Sequence, residues 1–405
     1  MTSVADTRSV IHGSQWSSPP HPCHPPPMPP PAVPPLDLHA QFREVEPEIR
    51  AAIERVLASQ HFILGPEGAA LEREIASYSG LAHGVAVSSG TDAILATLMA
   101  LGIGPGDEVV TTPYTFVSTV TSIARLGARA VFVDIEPATF NLDASRLEAA
   151  LTPKTRAILP VHLFGQMADM ERIQRIASTR SIPIVEDAAQ AIGATRDGLP
   201  VGRGSRAATL SFFPTKNLGA MGDGGMVLTD DDDLASAVRM LRNHGQAPKY
   251  TCQTVGGNFR LDELQAAVLR AKLPRLDGWT AARRQNATLY RAAFAATSLS
   301  PRQLELSEDP VDARHVYNQL VVRTSRRDPL RAFLADHGIA SAVYYPVPMH
   351  LQPALASWGH RAGDFPEAER AARETLALPL YPELTADMIA RVVDVVVAFF
   401  AGGAA

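Results

Sequence analysis

The spacing of apolar residues changes regularly along the chain. "QFREVEPEIRAAIERVLAS" shows the period of a helix with one buried face. Short apolar runs follow, several leading straight into a helical pattern: "GVAVSSG" into "TDAILATLMALG", "DEVVTTP" into "TFVSTVTSIARLG", "TRAILPVHLFG" into "MADMERIQRIASTR". "ARAVFVDI" precedes "SRLEAALT", and "IPIVEDAAQ", "AATLSFF" and "GGMVLTD" complete the series. Strands alternating with helices predict an α/β fold, with a mostly parallel central sheet and helices on both faces. Ligands of such sheets collect beyond the carboxyl ends of the strands. Past residue 275 the pattern changes. A long helical run, "LDGWTAARRQNATLYRAAFAA", precedes a mixed region with strands such as "VYNQLVVRT". We therefore expect a large domain over 36–275 and a smaller C-terminal α+β domain over 276–405.

Residues 1–35 stand apart. "SSPPHPCHPPPMPPPAVPP" is dominated by proline, which lacks a backbone N–H and fixes φ. A disordered or polyproline-like tail is expected there. His21, Cys23 and His24 cluster in it without a scaffold to shape a metal site.

Composition changes this picture little. The chain has 405 residues, 46% hydrophobic and 20% charged, with a net charge of −5. That balance gives no basic footprint for nucleic acid and no polybasic membrane patch. No apolar run approaches the ~20 residues of a membrane span. The start, "MTSVADTRSV", lacks the pattern of a signal peptide. Cys23 and Cys252 are the two cysteines, too few for a disulfide framework, which points to the cytoplasm. No G-x-G-x-x-G opens a helix after an early strand, which argues against a nicotinamide dehydrogenase.

Candidate chemistry lies at the strand ends. Lys216, in "SFFPTKNLGAMGDGG", follows an apolar run. Its stem could pack while its amine reaches water. Alternatively the amine is held dry, its pKa falls, and it can form a Schiff base. Asp187 ends "IPIVED", either as a helix cap or as a carboxylate facing the protonated ring nitrogen of a pyridoxal-type cofactor. Gln190 is in reach of that cofactor's phenolic oxygen. Ser89, Gly90 and Thr91 start a helix, where free N–H groups and the helix dipole bind phosphate. Ser211 offers a hydroxyl to the same phosphate. Phe116 is either core or an aromatic stacked on a flat ring. Each piece alone has a plain structural reading. Their order on successive strand–helix units matches the needs of pyridoxal 5′-phosphate.

The sequence resembles the DegT/DnrJ/EryC1/StrS sugar aminotransferases, which are fold-type I pyridoxal phosphate enzymes. The resemblance runs from about Val33 to Phe400. It rests on "VPPLDLHAQ", "GPEGAALEREIASYSG", "VSSGTDAI", "PVHLFGQMADM", "VEDAAQAIGA", "SFFPTKNLGAMGDGGMV", "GGNFRLDELQAAVL" and "YYPVPMHLQP". It implies that Lys216 carries the cofactor as a Schiff base and shuttles a proton. It implies further that Asp187 pairs with the ring nitrogen, that Gln190 meets the ring oxygen, and that Gly90, Thr91 and Ser211 hold the phosphate. Phe116 would cover one ring face. In this family "GGNFR" enters the neighbouring subunit's site, so Asn258 would reach the phosphate there, implying a homodimer with shared sites. His162, Tyr344 and His350 fall in segments expected near the sugar. Relatives that dehydrate sugars carry histidine at the lysine position, so Lys216 favours transamination from L-glutamate. "KNLGAMGDGG" resembles the branch that aminates C-3 of nucleotide-linked 3-keto sugars. The expected substrate is a 3-keto-6-deoxyhexose on thymidine diphosphate, aminated for a glycoside, antibiotic or surface polysaccharide. A uridine-diphosphate 3-keto sugar, a 4-keto sugar, a cyclitol ketone and a dehydratase reaction stay open.

Overall fold

The chain is described from a computed structural model, over residues 32–307 and 309–402. The expected tail over 1–35, with its His21, Cys23 and His24 cluster, lies almost wholly outside the described residues. Helices α1 (Leu38–Ser59) and α2 (Pro66–Ser79) come first, followed by β1 (His83–Val87) and α3 (Gly90–Ala100). Next are β2 (Glu108–Thr111), α4 (Val117–Arg125), β3 (Arg129–Phe132), the short α5 (Leu147–Ala150), β4 (Thr155–Ile158), α6 (Met170–Ser178) and β5 (Val185–Asp187). Two short strands, β6 (Thr195–Arg196) and β7 (Leu199–Pro200), precede β8 (Ala207–Ser211), β9 (Gly225–Thr229), α7 (Asp232–Leu241), α8 (Glu263–Lys272) and α9 (Leu276–Ala295). The last part holds β10 (Glu305–Leu306), β11 (Ala313–Arg314), β12 (Leu320–Arg323), α10 (Arg327–Asp336), α11 (Pro366–Glu374), β13 (Thr375–Leu378) and α12 (Ala386–Ala401).

The large sheet is as parallel as the apolar runs suggest, with one exception. Strands run in the order β1-β9-β8-β5, and parallel bridges from Ile158 to Ile184 and from Val161 to Asp187 join β5 to the β3-β2-β4 group. Every pairing is parallel except those of β9, which is antiparallel to β1 and β8. The reversal follows from the connection. The chain leaves β8 and returns as β9 after a loop with no crossover helix, which only an antiparallel neighbour allows.

Both faces are covered. On one, Leu71 and Ile75 of α2, Ile173 of α6 and Leu269 of α8 pack on Ala86, Val110, Ile158, Leu210 and Met226. On the other, Ile94 and Leu98 of α3 and Val120 and Ile123 of α4 pack on Val109, Ala130, Ala157 and Val185. Leu234 and Val238 of α7 pack on Val85, Val87 and Val227. Successive strand residues thus alternate between two cores. A further core forms around β12 and β13, where Leu320, Val322, Leu376 and Leu378 meet Tyr290 and Phe294 of α9 and Val392 and Val396 of α12.

Five helix starts are capped locally, by Asp37, Ser89, Asp169, Asp231 and Thr385. Helix α2 begins after Gly65, which has no side chain to offer. Its cap comes from across the fold. The Glu263 carboxylate accepts from Glu67 N at 2.8 Å and from Gly68 N at 2.9 Å. Glu263 is buried, and these two bonds compensate its lost hydration.

Candidate active site

The carboxyl ends of β5 and β8 and the start of α3 converge on a cavity of about 400 Å³. Lys216, Asp187, Gln190, Ser211, Gly90, Thr91, Phe116, His162 and Tyr344 line it, drawn from segments far apart in the chain. Asn258 and His350 are not among its lining residues.

Asp187 is the last residue of β5 and is 4% exposed. Its Oδ2 accepts from Thr119 Oγ1 at 2.7 Å, and Thr119 in turn meets Thr115 Oγ1 at 2.8 Å. Oδ1 accepts from Ala189 N at 3.2 Å. Among the described residues no ion pair includes Asp187. A buried carboxylate needs hydrogen bonds and a countercharge. The fold supplies the hydrogen bonds, and the Lys216 amine in the same cavity feels the carboxylate's charge.

Lys216 is half-buried at the centre of a tight loop, its N–H donating to Phe213 O at 2.8 Å. Burial lowers its amine from 10.5 to about 8, while the Asp187 charge works the other way and supports the proton. Of the two readings open in the sequence, the structure gives the dry amine facing a cavity.

The first turn of α3 faces the same space. Ser89 caps it, its Oγ accepting from Asp92 N at 3.0 Å, so the N–H groups of Gly90 and Thr91 lie at the helix's positive end. Gly90 lies hard against β8. A Cβ there would sit 2.7 Å from Ser211 Cβ, so only glycine lets the helix start reach the Ser211 hydroxyl.

Phe116 is 51% exposed and borders the cavity rather than filling the core. Its ring centroid lies 5.7 Å from that of Tyr345. Tyr345 was not anticipated. Its hydroxyl meets Gln190 Nε2 at 3.3 Å, while Gln190 Oε1 accepts from Phe164 N at 2.6 Å. Burial, and then the Asp187 charge, push the Tyr345 phenol upward and keep it protonated. Thr119, in the first turn of α4 just after Phe116, was also missed. Thr215, Asp223 and Gln319 are further lining residues not anticipated from the sequence.

Three further expected residues have surroundings of their own. His162 borders the cavity, but both ring nitrogens are engaged. Nδ1 accepts from Ala168 N at 3.2 Å, so Nε2 carries the proton and meets Glu186 Oε2 at 2.8 Å. Glu186 and Asp187 are consecutive on a strand, which sends one below the sheet and the other into the cavity. His350 is corrected from the cavity to an adjoining cluster. The chain turns away after Tyr345 and packs Met349 on the α3–α4 core. His350 is buried there, 3.1 Å from Glu369 Oε1 and against Phe365. Asn258 is exposed, paired by a bridge with Asn243, and lies outside the cavity of its own chain.

The sequence profile of the DegT/DnrJ/EryC1/StrS aminotransferase family matches residues 43–397. A "pleiotropic regulatory protein" of Geobacillus stearothermophilus is 51% identical, over 91% of this chain and 98% of its own length. A UDP-N-acetyl-3-dehydro-α-D-glucosamine 3-aminotransferase of Acidithiobacillus ferrooxidans is 44% identical, over 90% and 97%. A dTDP-3-amino-3,4,6-trideoxy-α-D-glucose transaminase of Streptomyces venezuelae is also 44% identical, over 90% and 95%. The crystal structure of S. venezuelae DesV in complex with a ketimine intermediate superposes with a TM-score of 0.88 at 44% identity, covering 91% of this chain and 99% of that one.

Proposed function

Because the chain belongs to the DegT/DnrJ/EryC1/StrS aminotransferase family, we propose that it is a pyridoxal 5′-phosphate enzyme moving the amino group of L-glutamate to C-3 of a nucleotide-linked keto sugar. The observation that carries the reading is one cavity holding both a desolvated amine and a buried carboxylate whose charge acts on that amine.

The residues present fit the cofactor. Asp187 offers the charge that a protonated pyridine nitrogen needs. The start of α3 and the Ser211 hydroxyl form a cradle that a Cβ at residue 90 would fill, and their donors suit a phosphate. Gln190 and Tyr345 supply a hydrogen-bonding edge, and Phe116 a ring face. When bound, the cofactor supplies the electron sink through which nitrogen is exchanged. The protein's part is to place and move protons. Lys216 Nζ is the base and acid for the substrate carbon, since its lowered pKa lets it give and take a proton near neutral pH. Asp187 holds positive charge opposite that reaction, and its Thr119 and Ala189 bonds fix the carboxylate in place.

C-3 is the favoured position because the names of both aminotransferase relatives place the new nitrogen there. They differ in the nucleotide, and we keep a thymidine-diphosphate 3-keto-6-deoxyhexose as the first candidate. A panel of thymidine- and uridine-diphosphate 3-keto and 4-keto sugars, incubated with glutamate and read by mass and NMR, tests this. Expected is stoichiometric 2-oxoglutarate with a 3-amino product. Water loss without glutamate consumption would make the protein a dehydratase. Tight binding without turnover would make it a binding protein.

The same proposal includes a homodimer in which each chain completes the other's site. Asn258 is exposed outside its own cavity, and Phe213 and Met221, on either side of Lys216 in the chain, are 50% and 45% exposed, as Phe62, Ile63 and Leu64 are also exposed. Apolar surface of that kind marks an interface. Sedimentation should give a dimer, and Asn258→Ala should weaken cofactor binding about tenfold, the loss of one charge-assisted bond. An active monomer would contradict shared sites. The cytoplasm is the proposed location, where an exposed free Cys252 stays reduced. No helix among the described residues is long and apolar enough to cross a membrane.

A further inference from the structure

Lys272 closes α8 and is 4% exposed. Its Nζ donates to Gly219 O at 2.7 Å and to Gln41 Oε1 of α1 at 3.3 Å. Among the described residues it joins no ion pair. Carboxylates on the helices packed around it are engaged elsewhere. Glu67 and Glu74 of α2 hold Arg270, Glu48 of α1 meets Arg275, and Glu44 of α1 accepts from Trp279 Nε1. Burial lowers the Lys272 amine to about 8, which leaves it charged at neutral pH. A buried ammonium without a carboxylate is poor at stabilising a fold, and an apolar side chain of similar volume is often as good or better. Packing alone therefore does not account for Lys272.

Its main acceptor does. Gly219 lies three residues after Lys216, in a loop that closes on itself. Lys216 N–H reaches Phe213 O at 2.8 Å, and Ala220 N–H reaches Phe212 O at 2.8 Å. The loop is tight enough that a Cβ on Gly219 would lie 2.3 Å from Pro214 O. Its other holds are neutral. Asn217 Nδ2 donates to Val316 O at 2.8 Å, and Gln265 Oε1 of α8 accepts from Met221 N at 2.8 Å. Lys272 is the charged hold, and it lies outside the lining of the cavity.

We propose that Lys272 is a positioning residue whose ammonium, braced by Gln41, grips the Gly219 carbonyl and so fixes the turn that aims Lys216 into the cavity. The inference rests on the proposed role of Lys216, yet its first test needs no cofactor. A displacement of the reacting amine by about 1 Å costs as much as 10²-fold in rate. A grip on the loop therefore acts on catalysis without touching substrate.

The experiment compares Lys272→Met with wild type in three measurements. Amide hydrogen exchange over residues 213–220 of the cofactor-free protein should speed about tenfold, as expected for losing one hydrogen bond to a charged donor. The melting temperature should fall by no more than the loss of one or two hydrogen bonds implies, so that the faster exchange stays confined to the loop. In the loaded enzyme kcat should fall while KM for the keto sugar holds. Gln41→Leu, which removes only the brace, should show the same changes at smaller amplitude, and it decides the matter alone if Lys272→Met does not fold. Unchanged exchange over 213–220, or acceleration spread evenly over the whole chain, would overturn the proposal. If no keto sugar is turned over by wild type while the exchange result stands, the functional reading fails and the positioning role survives.

Discussion

Lys216→Ala is expected to end covalent retention of pyridoxal phosphate and to lower turnover at least about 10³-fold, the scale of losing a positioned acid–base group. Borohydride reduction of the loaded wild type, then peptide mass analysis, should place the adduct on Lys216. The same treatment should leave the mutant unmodified. A mutant still modified in that peptide would move the assignment to another residue. The dry setting of the amine adds a pH signature. Burial holds it at about 8 in the cofactor-free protein, against 10.5 for an ordinary lysine. Only the neutral amine attacks a carbonyl. Attachment of pyridoxal phosphate should therefore climb about tenfold per pH unit below 8 and level off above it. An ordinary lysine would go on climbing to pH 10. Stopped-flow absorbance across pH 6 to 10 separates the two curves.

The second large effect is expected at Asp187. Asp187→Asn keeps the shape and the Thr119 contact while removing the charge. Turnover should drop about 10²–10³-fold, as when one electrostatic partner is taken from a desolvated site. Thr119→Val should be much milder, near the ~1 kcal/mol of one hydrogen bond. A cofactor methylated on its ring nitrogen carries permanent positive charge, so with it the gap between Asp187→Asn and wild type should narrow. Equal activity of Asp187→Asn and wild type with the ordinary cofactor would remove Asp187 from the proposed role.

Much of the large sheet could be read in the sequence, because strands buried on both faces leave unbroken apolar runs and their crossovers leave helical periods. The antiparallel β9 could not, since "GGMVLTD" has the composition of its parallel neighbours and its direction depends on the loop before it. Residues fixed by local backbone were also legible. Gly90 and Thr91 begin a helix after a strand, and Asp187 ends one. What the sequence hid lies in contacts between distant segments. Tyr345 meets Phe116 and Gln190 from more than 150 positions away. Glu263 caps α2 from 196 positions away. No periodicity encodes such partners. His350 misled for the same reason. Its segment begins at the cavity with Tyr344 and Tyr345, but packing of Met349 draws the rest aside.

The order of strands in the sheet also bears on how this chain is made. β1 is an edge strand whose one neighbour in the sheet is β9, and 138 residues separate Val87 from Gly225 where they pair. A ribosome adding about 5–20 residues per second needs on the order of ten seconds to cover that distance. For that time the apolar strand "HGVAV" is outside the ribosome with no partner to accept its hydrogen bonds. The last strand to enter the large sheet therefore seals the first one made.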